Sequence, residues 1–159
     1  MAVSSITPDY TGRKKDISIL QYPDAQSNKA QTMSVVFGKN TRFCAGVQKL
    51  IQKYAIILLT NITSQENYPE FGTSFLYRLQ AGISPVDTLL AAQIFRLASY
   101  ITVNILKEHQ VIDQTIPADE RIASASLLSV TLNAGTASFD VSITTETGTD
   151  VSFLIPLPK

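Results

Sequence analysis

The sequence predicts an α+β protein: three helices followed by a small antiparallel three-stranded C-terminal sheet, with an irregular N-terminal leader in front. Three observations predict it. Apolar residues recur at three- and four-residue spacing between Thr41 and Glu108. After Pro117 the period changes to two. Two turn signals, Asn133-Ala-Gly135 and Glu146-Thr-Gly148, then divide the rest into strands. The expected organisation is an extended leader over 1–40 and a single α+β domain over 41–159.

In the leader, Asp16–Leu20 alternates briefly before Tyr22-Pro23-Asp24 turns the chain, Ser27–Thr32 is polar, and Met33–Phe37 fits a short strand. The first helix begins near Thr41, with Phe43, Val47, Leu50, Ile51, Tyr54 and Leu58 on one face. Asn61–Pro69 is a polar loop. A second helix follows, capped by Thr73, stopped at Gly82, and turning Leu76, Leu79 and Phe75 inward. Ser84-Pro85-Val86-Asp87 combines a capping serine, a first-turn proline and an early acid, so a third helix should run from there to about Glu108. Its apolar stripe is Val86, Leu90, Ile94, Leu97, Ala98, Ile101 and Ile105, and His109 sits in its last turn, where the helix dipole favours a cation. Arg121–Leu132, Ser138–Thr145 and Asp150–Leu157 are the three strands, antiparallel because their connections are short.

Composition narrows the function classes. Charged residues are 16% of the 159, while 45% are hydrophobic, a low-charge surface that favours association over a solitary monomer. One cysteine, Cys44, excludes an internal disulfide framework, and one histidine, His109, excludes a multi-histidine metal centre; no cofactor is expected. No Gly-x-Ser-x-Gly elbow or glycine-rich phosphate loop is present. Met1–Pro8 shows no signal-peptide pattern, and the longest uninterrupted apolar run, Ala55–Leu59, is too short to span a bilayer.

Charge is balanced overall but not along the chain. Residues 1–54 hold eight basic groups against three acids, a net of +5 offset by −5 in the remainder, and no Lys or Arg lies between Ile122 and Pro158. A solvated basic face accounts for this, and so does a surface complementary to a protein partner or to head-to-tail assembly. Aromatics are not interleaved with the basic residues, which argues against nucleic acid.

Three stretches in order resemble one family. They are Ile56–Thr60 with Tyr68-Pro-Glu-Phe-Gly-Thr-Ser-Phe-Leu76, the long helix from Pro85, and Asp119-Glu-Arg-Ile122 leading into strands that end Phe153-Leu-Ile-Pro-Leu157. The order is similar to the lysozyme-like baseplate wedge proteins of contractile phage tails and their type VI secretion counterparts, over about residues 42–157. The family's Glu-Pro-Arg triplet is matched by Asp119, Glu120 and Arg121, with Glu120 in place of the proline, and a glycine-glutamate pair of the family loop is missing near Ser64-Gln65-Glu66.

The resemblance implies a structural protein of the virion's tail baseplate, assembled in the host cytoplasm. Its partners would be other wedge proteins, the tail sheath protein and, through the leader, tube or hub proteins, with no nucleic acid and no membrane. Asp119, Glu120 and Arg121 would dock on a helical core bundle; the alternative is that Arg121 pairs within the chain, with Asp119 or Asp113, to fix the start of the first strand. Asp150, Val151, Ser152, Phe153, Leu154 and Ile155 would pair with sheath, unless the leader covers that edge. The lysozyme-like label raises hydrolysis, which needs two carboxyls in different environments. Glu66 and Glu70 are the obvious pair, but both fall in a polar loop, so the expectation is no catalysis. A cytosolic regulatory adaptor using the same fold is the second reading, and a cell-wall hydrolase a distant third.

Overall fold

The computed structural model describes residues 12–18, 20–21, 31–32, 34–35, 43–82, 87–133 and 135–158. Within them the leader contributes four two-residue strands, β1 (Asp16–Ile17), β2 (Leu20–Gln21), β3 (Gln31–Thr32) and β4 (Ser34–Val35), and β5 is Phe43–Cys44. Helices α1 (Val47–Leu59), α2 (Phe75–Gly82) and α3 (Thr88–Ile112) follow, then a 3₁₀ turn at Ala118–Glu120 and the strands β6 (Ile122–Asn133), β7 (Thr136–Thr145) and β8 (Asp150–Pro158). The class is α+β, and the three C-terminal strands are antiparallel as expected.

Two features of the leader were not legible in the sequence. β1 pairs antiparallel with β5, and β2 with β4. β3 adds to the C-terminal sheet in parallel with β8, Gln31 against Phe153 and Thr32 against Leu154, giving the order β3-β8-β7-β6. The residues between these short strands, including the Tyr22–Asp24 turn, lie outside the described set, as do Ser84–Val86 and the expected helix start at Thr41.

The first helix starts later than its apolar spacing predicts. Phe43 is 63% exposed in β5 instead of inward-facing on α1, because Gly46 takes φ 63° and turns the chain before Val47. From there Leu50, Ile51, Tyr54, Ala55, Ile57 and Leu58 are buried. Asp87, not Ser84, caps α3: its carboxylate accepts the Leu90 N–H at 2.9 Å.

α3 is also turned by about one residue, roughly 100° on a helix. The buried face is Ala91, Phe95, Ala98, Ser99, Thr102, Leu106 and Gln110, while Leu97 of the expected stripe is 48% exposed and Leu90, Ile94, Ile101 and Ile105 are only half-buried. Aromatic packing explains the choice. Phe95 stacks on Phe139 of β7 (centroids 5.1 Å apart, planes at 15°) and meets Phe75 of α2 edge-on at 5.5 Å, and Phe75 meets Phe139 edge-on at 5.3 Å. Such pairs add about 0.5–1.5 kcal/mol each beyond burial, and the small Ala91, Ala98 and Ser99 let the layers approach. α3 is long and apolar enough to cross a bilayer by length and composition. Here its Phe95 face lies in the core, where α1 adds Tyr54: the ring meets Phe153 of β8 edge-on and the hydroxyl hydrogen-bonds the Ser99 Oγ at 2.7 Å.

Candidate docking surfaces

Phe71-Gly72-Thr73 closes the polar loop onto the end of α1. Gly72 has φ +104°, and a Cβ there would stand 2.4 Å from the Thr60 carbonyl oxygen, so only glycine fits this approach. The contact aligns a short parallel bridge: Thr73 N–H donates to Thr60 O (2.8 Å), Ile62 N–H to Thr73 O (3.0 Å), and the Thr73 hydroxyl to Leu58 O (2.7 Å). The same hydroxyl oxygen accepts the Phe75 N–H at 3.1 Å, which is the expected cap of α2. Phe71 then stacks on His109 (6.5 Å, 14°), tying the loop to the last turn of α3.

The triplet is where the leader, α1 and the sheet meet. Asp119 accepts a hydrogen bond from the Arg13 guanidinium. Glu120, its side chain 4% exposed, accepts the Gly46 N–H at 3.0 Å and pairs with Lys49 Nζ at 3.2 Å. Lys49 also donates to the Lys14 carbonyl (3.1 Å) and Gln52 to the Ile17 carbonyl (2.8 Å), so the basic leader is laced along α1. The charge asymmetry of the sequence is thus partly satisfied within the chain. Glu120 thus caps the start of α1, a role that spacing along the sequence could not reveal, since Gly46 and Glu120 meet only in three dimensions.

Arg121 is anchored by the loop before it: Nε donates to Ile116 O (2.8 Å), Nη2 to Gln114 O (3.0 Å), and Nη1 lies 3.7 Å from Glu146 Oε2. Its acidic neighbour is therefore Glu146 of the β7–β8 turn, not Asp119 or Asp113. Asp113 instead receives the Thr115 hydroxyl (2.6 Å) and N–H (3.1 Å), and these two bonds hold its carboxyl below the usual range, with Lys14 and Lys53 adding minor attraction.

On β8, Val151, Phe153 and Ile155 turn their side chains to the core, Phe153 completely buried, so any pairing there uses backbone groups. Ser152 is exposed, and Asp150 accepts the Thr144 hydroxyl at 2.6 Å. β3 occupies the outer edge at Phe153 and Leu154. Of the two alternatives the sequence left open for this edge, the leader covers part of it, at these two positions. Glu66 and Glu70 are both exposed. Cys44 is buried, and burial pushes its thiol pKa up, away from nucleophilic use.

No family model and no curated protein matches the chain. Among solved structures it is similar to a crystal structure described as that of a "putative tail lysozyme" from Geobacter sulfurreducens, at 19% identity over 70% of this chain and 88% of that one, with a TM-score of 0.40.

Proposed function

We propose that this chain is a non-catalytic structural protein of a contractile-tail baseplate. In this reading it docks on neighbouring wedge subunits through the rim at Arg121, with Asp119 and the buried Glu120 holding that loop to the leader and α1, and seeds the sheath by backbone pairing along Asp150–Ile155. One observation carries it. The three stretches behind the family resemblance pack as one unit: Gly72 seats on Thr60, Phe71 on His109 of α3, and Phe75 meets both Phe95 of α3 and Phe139 of the strands. Arg121 stands partly exposed at the rim of that unit, its guanidinium oriented by two carbonyls. A planar, pre-oriented guanidinium at a rim is suited to a partner's carboxylate or helix-end carbonyls.

The role of β3 in this proposal is a removable cover. Two parallel residue pairs protect the β8 edge from stray association, and a longer incoming strand would displace them with more ladder bonds.

The test is co-expression with the proteins encoded beside it, followed by light scattering of whatever co-purifies. A defined heteromeric complex, lost in Arg121→Ala while the melting temperature of the chain alone changes little, supports the reading. A monomer that ignores those neighbours refutes it and favours the adaptor, and lysis of peptidoglycan suspensions would establish hydrolysis instead.

A further inference from the structure

Among the described residues, with β3 on one side of the sheet, β6 is the strand at the other edge. Its twelve residues, Ile122–Asn133, contain no charge and no proline; the protection it does carry is a register shift against β7 between Ile122 and Ser124 and another between Leu127 and Ser129, with Ser124–Leu127 in regular register between them. Beside it, the flank of α3 forms a groove. A cavity of about 480 Å³ lies between Ser99–Lys107 of α3 and Ala123–Leu127 of β6, and a second of about 530 Å³ continues past Lys107 to Arg121. Lys107 borders both. Along the pair stand three cations, Arg96, Lys107 and Arg121, against one acid, Glu146. Between Arg96 and Lys107 the wall mixes apolar Val103, Leu127 and the 66%-exposed Tyr100 with Ser99, Asn104, Ser124 and Ser126.

We infer that this groove binds an extended acidic segment of another protein, lying as an added strand on β6 under the flank of α3. The spacing sets its pattern. Arg96 and Lys107 are eleven residues apart on a helix, about 16 Å; residues i and i+4 of an extended segment are about 13 Å apart, and the long cationic side chains span the remaining ~3 Å. Side chains on one face of a strand recur every second residue, so carboxylates at i and i+4 would meet the two cations while an apolar residue at i+2 packs on Tyr100 and Val103. A nucleic acid would satisfy the cations but offers no peptide backbone to the β6 edge, which is why a polypeptide is favoured. The peptide site lies between Arg96 and Lys107, neither of which takes part in the contacts proposed above; only the far end of the second cavity reaches Arg121, so the two readings fail separately.

The probe is the end-blocked peptide Thr-Glu-Thr-Val-Thr-Glu-Thr, titrated into the ¹⁵N-labelled full chain, with lysine replacing both glutamates as control. Saturable shifts confined to β6 and the 96–107 flank of α3, weakening as salt rises, are expected. R96E/K107E should weaken binding on the order of tenfold or more, and R96Q/K107Q supplies the same comparison should charge reversal disturb folding. No saturable binding, equal affinity for the lysine peptide, shifts elsewhere, or affinity unchanged in the folded variant would each overturn the proposal. So would an oligothymidylate that binds the groove as tightly as the glutamate peptide, which would make it a polyanion surface.

Discussion

Replacing Gly72 by alanine tests the central joint of the fold. At φ +104° a side chain is strained at about 1–3 kcal/mol wherever it stands. Here the new Cβ, fixed rigidly to the backbone, would also meet the Thr60 carbonyl oxygen at 2.4 Å, and that oxygen is itself a backbone atom. Relief requires separating the two segments, which lengthens the Thr73 N–H bond to Thr60 O and the Ile62 N–H bond to Thr73 O. At about 1 kcal/mol per hydrogen bond, the total is about 3–5 kcal/mol. Gly148→Ala is the internal control: it too has a positive φ, +79°, but nothing within 4 Å of its Cβ, so it should cost about 1–2 kcal/mol. Urea denaturation followed by circular dichroism gives both values, and unchanged m-values would show that the unfolded state is not responsible. In a thermal scan the difference corresponds to roughly 4–12 °C, at about 2–4 °C per kcal/mol for a chain of this size. If the two variants lose the same stability within about 0.5 kcal/mol, the close approach to Thr60 contributes nothing and the reasoning fails.

Three further outcomes follow from contacts described above. Glu120→Ala leaves the Gly46 N–H without its acceptor and a mostly buried Lys49 without its carboxylate; it should cost about 2–4 kcal/mol in denaturant titrations, with Glu120→Gln costing less because an acceptor remains. Tyr54→Phe removes the buried bond to Ser99 and should cost about 1–2 kcal/mol, and a double-mutant cycle with Ser99→Ala should show coupling, strictly additive losses being the contrary result. Thr115→Ala removes the hydroxyl donor that does most to depress Asp113, so an NMR titration should find the Asp113 pKa moved back up. Because the folded-state value lies below the unfolded one, the Asp113 contribution is present above the ordinary carboxylate range and is lost as pH falls through the folded value. The variant should therefore lose stability less steeply over that acid interval.

Local chemistry was readable and long-range choices were not. The change of period at Pro117, the turns at Gly135 and Gly148 and the Thr73 cap all act within a few residues, and each stands as the sequence indicates. On α3 the spacing favours the more apolar stripe of Leu90, Ile94, Leu97, Ile101 and Ile105 over the mixed face one residue round that carries Ser99, Thr102 and Gln110, and the aromatic pair Phe95 and Phe139, joined across the core, decides for the second. The start of α1 depends on a carboxylate from Glu120, and the cover on β8 on Gln31 and Thr32; neither meeting has a signature in the spacing of residues. The same holds for the candidate docking loop. Asp119, Glu120 and Arg121 stand out in the sequence as acids and a guanidinium at a strand start, but their division into leader clamp, helix cap and rim residue depends on partners far along the chain.

The lacing of the leader has a consequence for the order of events during synthesis. Arg13 waits for Asp119, and Gln31 and Thr32 wait for Phe153 and Leu154. A ribosome delivers the N-terminus first, so the leader emerges before the groups it will rest on have been made. At about 5–20 residues per second, that interval lasts on the order of ten seconds, and closing such distant ends is entropically slow even afterwards. The leader, made before its partners, is thus among the last segments of this domain to be fixed. For the length of its own translation, and until β8 is laid down, the chain carries a basic arm that neighbouring polypeptides can meet before its own sheet does.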